Sequence, residues 1–160
     1  MRFRLAAYAV ALPLAVAFGV GITISPTLAA NCKTIASVQQ SADPPTNNTG
    51  MGGHLTGHIN GLAPPPGWSY ANKTLFTSQP EYIGAWRNYL KTNTPVLNCA
   101  GAGPHQVISV QTLLKKPKIG AISCRNAACT QSNKTQMPNI FFAYVYANGN
   151  WILNTAFPSN

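Results

Sequence analysis

Acid is what this sequence lacks most. Asp43 and Glu81 are its only carboxylate side chains, against eleven Lys and Arg in 160 residues. Two carboxylates leave almost no means to build the paired acids of glycoside hydrolysis, a carboxylate cage for a hard cation, or a Ser-His-Asp triad. Any chemistry must fall to His, Lys, Arg and hydroxyl groups, the side chains that cleave RNA without a metal. The formal charge of +9 points to a polyanionic partner.

Charge is also missing from the N-terminal stretch beyond its first residues. Arg2 and Arg4 head an apolar run from Leu5 to Ile24, and Thr27-Leu28-Ala29-Ala30 follows with small residues. This pattern predicts a signal peptide over residues 1–30, cleaved after Ala29 or Ala30, and hence a secreted or periplasmic protein with no membrane segment in its mature form. The competing reading is an uncleaved anchor, weakened as a helix by Pro13, Gly19 and Gly21. Asn31 stands where a lipoprotein would need Cys. Loss of Arg2 and Arg4 takes the formal charge from +9 to +7.

The four cysteines, Cys32, Cys99, Cys124 and Cys129, all follow that segment. An even count in an exported chain predicts two disulfides, with three pairings to choose from. Cys124 and Cys129 are close enough to staple a tight loop, which leaves Cys32 to tie the N-terminus to Cys99. The zinc alternative lacks a Cys-x-x-Cys spacing.

Residues 31–50 read as a short helix from Cys32 to Gln40 and then an N-terminal linker or ordered loop rich in turn formers. Pro64-Pro65-Pro66-Gly67-Trp68 must be a loop. Ser78-Gln79-Pro80-Glu81 is a capping box, and Tyr82, Ile83, Trp86, Tyr89 and Leu90 follow on one helical stripe ending near Lys91. Gln106–Val110, extended by Leu113-Leu114, and Ile119–Ser123 read as strands. Ile140–Tyr146 and Trp151–Thr155 flank Asn148-Gly149, a strong hairpin signal. The expected fold class is α+β: an N-terminal helical segment packed on an antiparallel sheet of four or five strands, forming one domain over residues 51–160.

Histidine is scarce as well, with three in the chain, yet His54 and His58 sit four apart in a Gly-rich segment. That spacing keeps them neighbours, and imidazole suits proton transfer near neutral pH. A metal reading would add His105 as third ligand. However, Leu55 replaces the Glu of a His-Glu-x-x-His motif, and no carboxylate lies nearby. His105 otherwise reads as a surface residue.

Lys115, Lys116, Lys118 and Arg125 are candidates for phosphate-backbone contact. Lys73, just before Thr74-Leu75-Phe76-Thr77, is the first choice for a fixed cation where charge builds on a phosphorane, with Arg87 second. Trp68, Tyr70, Tyr144, Tyr146 and Trp151 are candidates for base stacking or for the core.

Three blocks resemble small bacterial toxin ribonucleases of the barnase–EndoU–colicin–RelE group, namely the ribonuclease A-like tips of contact-dependent inhibition toxins and the EndoU-type nucleases. Gly53-His54-Leu55-Thr56-Gly57-His58-Ile59 is similar to their His-bearing block. Thr74-Leu75-Phe76-Thr77-Ser78 with the helix to Leu90 is similar to their Thr-Phe-Thr-Asp helix start. Trp151-Ile152-Leu153-Asn154-Thr155-Ala156-Phe157-Pro158 looks like their closing strand. The resemblance implies metal-independent cleavage of RNA by 2′-OH attack, leaving a 2′,3′-cyclic phosphate. It gives His58 and His54 the acid–base roles, Lys73 the phosphorane and Thr155 the scissile phosphate.

Phe157 departs from the family's Tyr, and no Arg follows the His block before Lys73. The expectation is thus a monomeric secreted endoribonuclease needing no cofactor, with RNA as substrate and an acidic immunity protein as the partner that a toxin would require. The rival is a non-catalytic basic domain holding RNA, lipopolysaccharide or another envelope polymer. A third reading is a structural envelope protein stapled by disulfides.

Overall fold

The computed structural model describes residues 30–160. The signal peptide expected over residues 1–30 lies, but for Ala30, outside the described residues. Among the described residues no helix is long and apolar enough to cross a membrane.

The chain opens with a 3-10 turn, Cys32–Thr34, then α1 (Ala36–Ala42) and α2 (Asn47–Gly50), and a second 3-10 turn at Leu55–His58. A short strand β1 (Thr74–Phe76) leads into α3 (Gln79–Lys91). Strand β2 (His105–Ser109), α4 (Val110–Leu114), β3 (Ile119–Cys124), β4 (Ser132–Met137), β5 (Asn139–Ala147) and β6 (Asn150–Ser159) complete it. Among the described residues the fold is α+β and the paired strands run antiparallel.

Two features of the architecture correct the expectation. The strands form two sheets of three, ordered β1-β3-β4 and β2-β5-β6, rather than one of four or five. The longest helix, α3, follows the first strand instead of preceding the sheet. Leu113 and Leu114 do not extend β2. They belong to α4, whose start is capped by the Ser109 hydroxyl accepting from the Thr112 N–H at 3.1 Å.

The capping box forms in part. The Ser78 hydroxyl accepts from the Glu81 N–H, while the Glu81 carboxylate turns to the Thr77 N–H and hydroxyl. The apolar stripe of α3 buries Tyr82, Ala85, Trp86 and Tyr89, and Tyr89 stacks on Phe142 of β5 at 4.5 Å. Tyr144 is in this core as well, its hydroxyl donating to Tyr89, whereas Tyr146 is exposed near the hairpin turn. Asn148 and Gly149 both take positive φ there, the geometry that favours Asn-Gly.

Residues 31–50 are no loose linker. Asn48, fully buried, donates its side-chain amide to the Leu153 carbonyl and accepts from the Leu55 N–H, tying α2 to β6 and to the second 3-10 turn. The Ser41 hydroxyl of α1 accepts from the Leu153 N–H at 2.8 Å. Disulfides join Cys32 to Cys99 and Cys124 to Cys129, one of the three pairings open to the sequence and the one that staples the tight 124–129 loop, so no thiol is free for zinc.

Candidate active site

The two sheets meet where β1 lies beside the end of β6. The Thr74 hydroxyl donates to the Pro158 carbonyl at 2.6 Å across this joint. The second 3-10 turn lies over it, anchored on both sides. The His54 N–H donates to the Asn154 carbonyl of β6 at 2.9 Å, and Ile59 bridges to Phe76 of β1. Both imidazoles are therefore fixed at the final strand, and their ring centroids are 6.0 Å apart.

His58 is the better held of the pair. Its Nδ1 is 2.7 Å from the Thr74 carbonyl, and its ring stacks on Phe157 at 4.8 Å. A carbonyl only accepts, so Nδ1 carries the proton of the neutral ring and Nε2 keeps the free lone pair. Burial is the main cause that pushes the His58 pKa down from 6.5 to about 4. The Thr74 carbonyl opposes the shift, while His54 and Lys73 add to it by charge repulsion. His54 is lowered as well, first by burial and then by Lys73. Both rings are thus neutral at pH 7 in the free protein.

Trp68 closes the cluster. The triple-proline loop folds back so that the indole stacks on His54 at 5.1 Å and meets His58 edge-on at 5.3 Å. The Lys73 ammonium sits 5.6 Å from the centroid of the same indole. Gly57 is what admits the ring, since a Cβ there would collide with the indole. The indole N–H is buried and has no hydrogen-bond partner.

Thr155 enters through β6. Side chains two apart on a strand share a face, so Thr155 points to the same side as Phe157, the residue stacked on His58. Thr155 is buried, and its hydroxyl has no partner, the second orphaned polar atom of this neighbourhood. Such orphans are uncommon in folded proteins and call for a reason.

The other expected residues are dispersed. Arg125 follows β3 at its Lys73 end, where the Cys124 N–H donates to the Lys73 carbonyl. Lys115, Lys116 and Lys118 are exposed before the opposite end of β3, and Lys118 is roughly 23 Å from Arg125 by strand rise. Arg87 is exposed on α3 and pairs with Asp43 at 2.9 Å. His105 stacks on Phe141 instead of joining His54 and His58, and among the described residues no three His, Cys, Asp or Glu side chains gather in a metal-binding group. Trp151 packs near Tyr146 at 5.7 Å, by the hairpin turn. The residue that sequence reasoning undervalued is Phe157; its place two positions beyond Thr155 was the available signal.

The chain matches no protein-family model, and neither the curated proteins nor the solved structures include one similar to it at a significant level.

Proposed function

We propose that this protein is a secreted endoribonuclease that cleaves RNA without a metal. In this reading the His58 Nε2 takes the proton of a ribose 2′-hydroxyl, whose oxygen attacks the adjacent phosphorus. Lys73 and the Thr155 hydroxyl stabilise the charge gathering on the phosphorane oxygens. His54, protonated as the anionic substrate arrives, gives a proton to the departing 5′-oxygen. The bond to that oxygen breaks, and a 2′,3′-cyclic phosphate remains. Phe157 contributes a ring that holds His58 in orientation, and no hydroxyl.

The observation that carries this reading is the hydrogen bond from His58 Nδ1 to the Thr74 carbonyl. It leaves Nε2 as a base beside a second imidazole and an ammonium group, with the unpartnered Thr155 hydroxyl on the same face of β6 as the Phe157 ring that stacks on His58. A toxin role, with an acidic inhibitor protecting the producing cell, follows from the same reading and from the positive charge. The rival, a basic module that binds a polyanion without turnover, is favoured by the 4% exposure of His58.

His58→Ala separates the two. Cleavage should vanish in that variant while RNA affinity stays within about twofold, because the charge that attracts RNA is unaltered. Undiminished cleavage would rule out the site.

A further inference from the structure

The outward face of the second sheet continues from His58 without a break. Register sets Val107, Phe141 and Phe157 side by side across β2, β5 and β6, and sets His105, Ala143 and Thr155 side by side in the next row. Their neighbours Ile108, Phe142 and Ala156 face the core. The Phe141 and Phe157 rings are 4.8 Å apart and 23° from parallel, and His105 lies on Phe141 at 5.4 Å and 24°. His58 completes the series on Phe157.

Val107 is 52% exposed at the head of its row. In the second row the small Ala143 lies between His105 and Thr155, so the face steps down there.

We propose that this step is a nucleobase subsite for single-stranded RNA, with Ala143 as its floor and Phe141 and His105 as its stacking walls. The proposal rests on the ribonuclease reading. A base lying over Ala143 is one strand spacing, about 5 Å, from Thr155, close to the distance between a base and its own phosphodiester. Aromatic and imidazole faces stack any base, a π-face that an acidic peptide side chain does not offer.

The charge pattern agrees. The chain has only two carboxylate side chains against eleven Lys and Arg, and one of them, Asp43, is paired with Arg87, so little negative charge opposes a phosphate backbone.

The test compares uridine 3′-monophosphate and adenosine 3′-monophosphate with inorganic phosphate, each titrated calorimetrically into the disulfide-bonded protein. Nucleotides should bind more tightly than phosphate. His105→Ala and Phe141→Leu should each weaken nucleotide binding about tenfold and leave phosphate binding unchanged. His105 is exposed, so its variant should fold even if Phe141→Leu does not.

Equal nucleotide affinity in parent and variants would overturn the subsite, as would parallel losses for nucleotide and phosphate. A dimer dispersed by the two substitutions, seen by light scattering, would overturn it in favour of a second copy on this face. Failure of the ribonuclease reading is distinct: the parent would leave RNA uncut while still binding nucleotides more tightly than phosphate.

Discussion

A single hydrogen bond decides what His58 does. Donation from Nδ1 to the Thr74 carbonyl fixes the tautomer, and burial keeps the ring neutral. A pKa lowered from 6.5 in the unfolded chain to about 4 in the fold makes stability depend on pH. Well above pH 6.5 the ring is neutral in both states, and its contribution is complete. As pH falls from 6.5 to 4, the unfolded chain takes up the proton first, and about 3 kcal/mol of stability is lost. Urea unfolding at pH 7.5, 5.5 and 4.5 should show this decline, flattened in His58→Gln. A His58 that titrates near 6.5 by NMR in the folded protein would contradict the burial argument. The pairing of His54 with His58 was legible in the sequence because the chain offers so few alternatives. The Thr74 carbonyl was not, since a backbone acceptor carries no signature in residue identity.

The turn at Leu55–His58 and the loop carrying Trp68 act as one device, because Gly57 lets the indole lie on the imidazoles. Gly57→Ala should drive the indole off His54, costing about 1–3 kcal/mol and altering the tryptophan near-UV circular dichroism. An unchanged spectrum and stability would show that the ring is not held there. Elements with local signals were readable at this scale. The start of α3 follows from Ser78 and Glu81, and the β5–β6 hairpin from Asn148-Gly149. Strand β4 was not, for its Ser-Asn-Lys-Thr-Gln-Met run is mostly exposed along an outer strand and shows no apolar alternation. The split into two sheets was hidden too. Where β1 meets β6, Pro158 has no N–H for a ladder, and a threonine hydroxyl makes the link instead.

For the molecule as a whole, the disulfides and the charge set the measurable properties. Cys32–Cys99 spans 67 residues and Cys124–Cys129 spans five. In the chain-entropy account the first contributes about 4 kcal/mol and the second about 2. Denaturant unfolding of the two double Cys→Ala variants should rank them in that order; equal losses would point to native-state contacts instead. RNA affinity should fall log-linearly with salt, and Lys73→Ala should reduce the slope by about 0.7 if its ammonium neutralises one phosphate of a single strand. An unchanged slope would place Lys73 outside the contact. The α+β class and the presence of two disulfides were readable from segment order and cysteine count, but the choice among three pairings and the convergence of β1, β6 and the histidine turn depend on contacts between distant segments. The most direct test is to incubate the disulfide-bonded protein with RNA in EDTA and analyse the product ends. The expected result is 2′,3′-cyclic phosphate ends from the parent and intact RNA from His58→Ala. Intact RNA from the parent, or the same cyclic ends from His58→Ala, would contradict the account.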